Sequence, residues 1–338
     1  MEYSIKKEYE LILKAVLINK KKSEKKAIDV LLEKKLDWIE IAGQLYNHRL
    51  SGYFLLGISE EQQKRIPDEL RKALYLTIDI QRQITLRNIE TINSISNILN
   101  SRNIRYSLLK GCWFDCYLYI PGCRRSNDMD ILVYEEDLDV LDKELRKLGY
   151  IQSFNMQLPL VEASRKEKVI QRLYHHDLVP YVKCSQDRVD VLDINFLFDE
   201  KSNPIEKKVF MQYINCDTKN KKELVQYANL CFLCTHFYRE AQNEIWTKDK
   251  RDLRLYKVVD IINTLRYYGE NFDVGEFINV VDDLNIRKKC QFTFCVLSSL
   301  CDEQIIRRIT SGLFDNKEQN MKESAINYIK DCFEFLHN

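Results

Sequence analysis

Six consecutive residues constrain this chain most: Asp128-Met129-Asp130-Ile131-Leu132-Val133. Ile131, Leu132 and Val133 are strand formers, and a strand sends alternate side chains to one face. The run therefore predicts a β-strand on which Asp128 and Asp130 project together, about 7 Å apart along the backbone. Two carboxylates side by side repel unless a positive charge comes between them, and a divalent cation is the usual partner. Arg124 and Arg125 lie just upstream and suit an anion, because a guanidinium meets phosphate as a fork of two hydrogen bonds. Metal-binding acids next to phosphate-binding cations point to phosphoryl or nucleotidyl transfer.

The chain around this strand reads mainly as helix. Only 9 glycines and 5 prolines occur in 338 residues, which favours long helices over a loop-rich all-β design. Periodicity predicts a helical region over 1–103. Ile5, Tyr9, Ile12 and Val16 share the face of a first helix, and a lysine-rich link over 20–26 separates it from a second at 27–34. A third begins at Asp37, with Glu40 as its capping-box partner and Trp38, Ile41, Ala42 and Leu45 as its buried stripe. A long helix over 68–103 follows Pro67.

From Ile104 the pattern changes. A strand over 105–110 runs to Gly111, a short helix covers 112–119, and the acidic strand follows the loop at 120–123. Leu138, Leu141, Leu145 and Leu148 mark a helix that Gly149 stops, and 150–154 reads as a strand. Residues 155–170 fit neither period. An antiparallel pair is predicted over 173–183 and 189–198 around a turn at 184–187, the first strand being an edge or bulged one because of Pro180. On the second strand Val189, Val191, Asp193 and Asn195 share one face; Asp190, Leu192, Ile194 and Phe196 share the other. Helices return after Glu223, over 230–241, 252–267, 274–284, 287–300, 303–313 and 322–336. The expectation is an α+β fold: a small mixed β-sheet core at 104–215 between helical regions at 1–103 and 216–338.

Composition narrows the function. With 52 basic and 51 acidic residues the net charge is +1, so the chain has no global field for polyanions, although local basic patches are allowed. Its apolar runs are short and broken by charge, which excludes a helical membrane span. The first residues lack the basic, apolar and small-residue zones of a secretory signal. Eleven cysteines, an odd number, then read as reduced thiols in a cytoplasmic protein.

The middle third offers a strand ending in Lys110-Gly111, a short helix, Asp128-x-Asp130 on a strand and Asp193 on a later strand. This resembles the polymerase β-type nucleotidyltransferase superfamily, and more narrowly the bacterial group called "nucleotidyltransferase family protein". Leu108-Leu109-Lys110-Gly111, Tyr119, Pro121-Gly122-Cys123-Arg124 and residues 128–133 carry the likeness to its core. Trp38, Ala42, His48-Arg49 and Leu55-Leu56 resemble its N-terminal segment, and residues 230–236 and 255–262 its C-terminal helices.

The resemblance implies that Asp128 and Asp130 hold divalent metal, Mg²⁺ or Mn²⁺, and that Asp193 binds metal or activates the attacking group. It implies that Gly111 lets the backbone approach a triphosphate. Lys110 and Arg124, with Arg125, are the candidates for neutralising phosphate. Three features depart from the pattern: Cys112 stands where a serine often follows the turn glycine, the gap from Gly111 to Asp128 is longer than in the polymerases, and Asn195 stands where a histidine is common. The implied function is transfer of a nucleoside monophosphate from an NTP, with release of pyrophosphate. Near-neutral charge favours a small-molecule, peptide or protein acceptor over nucleic acid. The alternatives are a phosphotransferase, or a nucleotide-binding or antitoxin-like partner that keeps the fold without turnover.

Other chemistry-bearing residues have plainer readings. Cys231-x-x-Cys234 near His236 lacks the second cysteine pair of a zinc site. His175 and His176 fall on the predicted strand, one to each side, and His236 and Asp260 on predicted helices, where packing is the ordinary role.

Overall fold

The computed structural model describes residues 6–185, 188–249 and 254–314. Ile5, residues 186 and 187 of the expected turn, the start of the helix expected at 252 and the helix expected over 322–336 lie outside the described residues.

In chain order the helices of the first part are α1 (Lys7–Ala15), α2 (Lys22–Leu32), α3 (Trp38–Asn47), α4 (Ser51–Gly57), α5 (Glu60–Gln63) and the long α6 (Asp68–Ser101). Then come β1 (Tyr106–Leu108), α7 (Lys110–Trp113), a π-turn over Phe114–Leu118, β2 (Met129–Val133), α8 (Leu138–Lys147) and β3 (Ile151–Gln152). α9 (Arg165–Tyr174), β4 (Tyr181–Ser185), β5 (Arg188–Asn195), α10 (Glu206–Gln212), β6 (Ile214–Cys216) and β7 (Lys222–Leu224) follow. The last helices are α11 (Gln226–Ala241), α12 (Glu244–Lys248), α13 (Tyr256–Tyr268), α14 (Val274–Asp283), α15 (Arg287–Leu300) and α16 (Gln304–Leu313). The α+β expectation holds. Among the described residues no helix is long and apolar enough to cross a membrane.

Two compact units share this chain. The sheet unit comprises residues 84–119 and 126–232. Its seven strands run in the order β3-β4-β5-β2-β1-β7-β6, parallel at β2/β5 and β1/β7 and antiparallel elsewhere. One face is buried by apolar side chains: Tyr106, Leu108, Met129, Ile131, Val133, Leu192 and Ile194 pack with Ile92, Ile95 and Leu99 of α6 and Leu138, Leu141 and Leu145 of α8. The strand period puts the intervening residues, Asp130 and Asp193 among them, on the opposite face.

Several local expectations change. Residues 173 and 174 end a helix, α9, which Ser164 and Glu167 cap reciprocally; the strand begins only at Tyr181. β4 is interior rather than an edge, and Pro180 is tolerated because it precedes the first strand residue. Glu40 closes no capping box. Asp37 accepts from the amides of Ile39 and Glu40, while the Glu40 carboxylate accepts from Tyr9 Oη (2.5 Å) and Gln44 Nε2 (3.1 Å). The β6–β7 hairpin is unforeseen: Ile214-Asn215-Cys216 and Lys222-Glu223-Leu224 show no clean apolar alternation, and docking of β7 against β1 is what orders them.

The helical unit comprises residues 1–83, 120–125 and 233–338, described within the limits above. Leu11, Ile12, Ile41, Leu45, Phe54, Leu55, Phe277, Phe294, Ile306 and Ile309 are buried in it. The short segment 120–125 is pressed into this unit at two glycines. A Cβ on Gly52 of α4 would fall 2.3 Å from the Cys123 carbonyl oxygen, and one on Gly122 would fall 2.9 Å from that of Ile78 in α6. Gly122 also has φ +96°, a conformation that side chains rarely adopt.

Candidate active site

In the sheet unit β2 and β5 run parallel with Asp130 paired in register with Asp193. Neighbouring strands lie about 4.8 Å apart, so these two carboxylates, 63 residues apart in sequence, leave the same face side by side. Leu132 pairs with Asn195 one step further along the same face. The apolar residues between them, Ile131 and Ile194, point into the core. Alternation of burial thus anchors the strands, and register brings the acids together.

β1 delivers the counter-charge. The Leu109 amide donates to the Asp130 carbonyl (3.1 Å), and the chain then turns into α7 with Lys110 at φ +32°. The left-handed angle falls on Lys110 rather than Gly111, which is buried in the first turn of α7. Such a backbone costs on the order of 1 kcal/mol for a residue with a Cβ. Here it accompanies an ion pair between Lys110 Nζ and Asp130 Oδ1 at 2.8 Å, with the two side chains only 13% and 5% exposed.

Burial works against the Lys110 ammonium, but the charges of Asp130, Asp193 and Asp128 outweigh it and push the pKa up. Asp193 responds in the opposite sense. Burial, then the charges of Asp130 and Asp177, push its carboxyl well above the usual range, while Lys110 pulls it back. Asp193 Oδ1 and Asn195 Oδ1 are shielded from water and accept no hydrogen bond. Unsatisfied buried carboxylate and amide oxygens form the hard donor set that Mg²⁺ prefers. Among the described residues no three His, Cys, Asp or Glu side chains are arranged to hold an ion by themselves.

Asp128 is exposed one residue before β2 and near enough for its charge to act on both Lys110 and Asp193. The loop leading to it is tethered by Ser126 Oγ, which donates to buried Asp115 Oδ1 in the π-turn (2.8 Å). Cys112 is buried, its thiol pushed up by that burial, so it is no thiolate at neutral pH.

Asp177 is a neighbour that sequence reasoning missed. It forms an isolated antiparallel bridge with Asn195, accepts from Gln171 Nε2 (2.9 Å) and raises the Asp193 pKa. The His176 carbonyl oxygen accepts from the amides of Phe196 and Leu197, which holds this segment alongside the end of β5. No periodicity marks it; its only signal is a polar cluster, His175-His176-Asp177, just before a strand. His176 Nε2 lies 3.9 Å from Asp177 Oδ2, whereas His175 caps α9 and is exposed.

Arg124 and Arg125 belong to the helical unit. Arg125 is exposed. Arg124 Nε donates to Asp260 Oδ2 (2.9 Å), and Tyr53 Oη donates to the other carboxylate oxygen (2.8 Å). Asp260 is 3% exposed, so it serves as a buried anchor for the 120–125 segment. Asp260→Asn keeps an acceptor for Tyr53 but loses the charge opposite Arg124. It is expected to cost about 1.5–3 kcal/mol, read as a lower urea midpoint with an unchanged m-value. On α11, Cys231 and Cys234 are buried and burial pushes up the Cys234 thiol, while His236 Nε2 lies 3.4 Å from Glu240 Oε1.

No curated protein matches the chain. A family of uncharacterised nucleotidyltransferases matches residues 34–302, which takes in both the N-terminal helices from the end of α2 and every strand of the sheet. With that match over most of its length, the chain belongs to this family of uncharacterised nucleotidyltransferases.

Proposed function

We propose that the protein is a Mg²⁺-dependent nucleotidyltransferase of the polymerase β type. It would move a nucleoside monophosphate from an NTP to a small-molecule, peptide or protein acceptor and release pyrophosphate. The observation that carries this reading is the register pairing of Asp130 with Asp193, two acids on one sheet face with Lys110 on the first of them. Family membership supports it independently.

Asp130 and Asp193 would hold the metal, which supplies charge neutralisation of the triphosphate when bound, and exposed Asp128 would add its negative charge beside them. In the transfer the acceptor's oxygen or nitrogen bonds to the α-phosphorus, and the bond from that phosphorus to the bridging oxygen of the β-phosphate breaks. The electron pair leaves with pyrophosphate. Asp193, paired in register with Asp130, would either hold metal or take the acceptor's proton. Lys110 holds Asp130 in place and keeps a positive charge beside the acids. The near-neutral chain, +1 overall, supports an acceptor other than long nucleic acid.

Full-length protein incubated with α- or γ-labelled ATP, GTP, CTP or UTP, Mg²⁺ or Mn²⁺, and small-molecule, peptide and protein acceptor pools tests this reading. Label from the α position on a product, with matching pyrophosphate release, is the expected result. Label from the γ position instead identifies a phosphotransferase. Binding of an NTP without any turnover identifies the non-catalytic nucleotide binder.

A further inference from the structure

Helix α9 of the sheet unit is turned inside out. Val169, Ile170, Leu173 and Tyr174 fall on one stripe at helical spacing, and each is between 43% and 78% exposed. An amphipathic helix ordinarily lays such a stripe on the core. Here the opposite face, Lys168, Gln171 and Arg172, holds the helix to the protein. Gln171 Nε2 donates to Asp177 Oδ1 (2.9 Å), Arg172 Nη2 lies 3.1 Å from Glu135 Oε1, and Lys168 Nζ lies 2.6 Å from Glu162 Oε1. Lys201 Nζ donates to the carbonyl oxygens of Arg172 (2.7 Å) and Leu173 (2.6 Å) at the far end. These contacts fix the stripe outward, and none of the helix's ten residues is buried.

The loop before α9 continues the apolar surface. Ser153 Oγ lies within hydrogen-bond reach of the carbonyl oxygens of Asn155 (2.9 Å) and Val161 (2.7 Å), which closes the loop on itself. On it Leu158 and Val161 are 65% and 64% exposed, and the Lys168–Glu162 pair ties it to the helix. A half-exposed side chain of this size shows on the order of 100 Å². These six, with exposed Phe154 beside them, therefore offer roughly 700 Å², more than the roughly 300–600 Å² of the largest apolar patch on a typical monomer. That approaches the roughly 800 Å² which each partner buries in a standard interface.

We propose that this face is where two copies of the chain meet, α9 lying antiparallel to its counterpart across a twofold axis. A twofold interface uses the same patch twice, so its centre must be apolar and must not set like charges together. The stripe meets both conditions. Lys168 and Arg172 are neutralised within the chain. Lys166 stands at the N-terminal end of the stripe, and antiparallel packing sends the two Lys166 ammonium groups to opposite ends of the interface. The same neutralisation argues against other occupants. An anionic lipid surface is held by a cluster of about four to eight basic residues, whereas α9 offers only Arg165 and Lys166 outside an ion pair. The proposal stands apart from the transfer chemistry, because its residues and its test concern association alone.

Sedimentation velocity of the full-length protein from about 1 to 100 µM tests it. A concentration-dependent dimer is expected. Leu173→Glu, which sets a carboxylate in the stripe of each copy, is expected to weaken the dimer at least about 10-fold. Leu173→Met keeps the apolar volume and is expected to stay within about 2-fold of the parent. Ile39→Glu, at an 87% exposed position of α3, is expected to leave the dimer unchanged. Circular dichroism checks that each variant is folded. In the parent, amide hydrogen exchange over 165–174 is expected to slow between the dilute and the concentrated protein, which locates the contact without any variant. A monomer throughout the concentration range, a dimer indifferent to Leu173→Glu, or unchanged exchange across α9 overturns the proposal. So does a monomer that floats with phosphatidylserine vesicles and loses that property in Leu173→Glu, which would reassign the face to a lipid surface.

Discussion

Asp130→Asn and Asp193→Asn are each expected to lower nucleotidyl transfer by roughly 10²–10³-fold, the usual cost of removing one charge that stabilises a transition state. The decisive comparison is with stability, because the two effects should separate. Asp193 faces Asp130 in register, with the Lys110 ammonium opposing the pair, and its carboxyl is pushed well above the usual range by burial and by the Asp130 charge. A group whose folded pKa lies above its unfolded value favours the fold fully only below the unfolded pKa, and that contribution is lost as pH rises through the folded pKa. In the metal-free protein Asp193→Asn should therefore raise stability at neutral pH, on the order of 1–3 kcal/mol. The gain should shrink as pH falls through the folded carboxyl's raised pKa and vanish below about pH 3, where the aspartic acid is protonated in both states. Activity falling while the neutral-pH melting temperature rises identifies an acid retained for chemistry at a cost in stability. A variant that loses both together would be a structural residue, and the assignment of Asp193 would fail.

Lys110→Met is expected to show the reverse signature. Its ammonium lies 2.8 Å from Asp130, with both side chains largely out of water. Removing one partner of a buried pair leaves an uncompensated charge and typically costs about 3–5 kcal/mol. Methionine fills much of the same volume, so the loss reports on charge rather than on a cavity. The test is a double-mutant cycle by urea unfolding. Asp193→Asn in the Lys110→Met background should recover a kcal/mol or more beyond its effect in the parent, because it removes the second of two carboxylates then left without a counter-ion. Strict additivity would mean that Lys110 does not serve the pair. A Lys110→Met cost below about 1 kcal/mol would place it among surface ion pairs.

Much of the sheet's chemistry was legible because strands have a rigid period of two. Leu192, Ile194 and Phe196 sit in the core, so Asp193 and Asn195 had to share the other face, and Ile131 and Val133 make the same argument for Asp130. Helices α3, α6, α8, α14 and α15 were likewise visible as apolar stripes with glycine, proline or polar caps at their ends. Where burial is not periodic, reading failed. α9 is stabilised by a capping box on an otherwise exposed helix, and β6–β7 exists through its pairing with β1.

By itself the sequence determined which residues could be buried and on which strand face Asp130 and Asp193 would stand, since propensity and periodicity are local properties of the chain; Asp128, expected on the same strand, lies one residue before it. Only the tertiary structure decided that Asp130 would meet Asp193 in register, that Lys110 would pair with Asp130, and that Arg124 would be bound by Asp260, 136 residues away in sequence. Those pairings span dozens of residues, and their energy comes from burying apolar area on the opposite face and from excluding water around opposed charges. Neither quantity is defined until the strands and helices have packed.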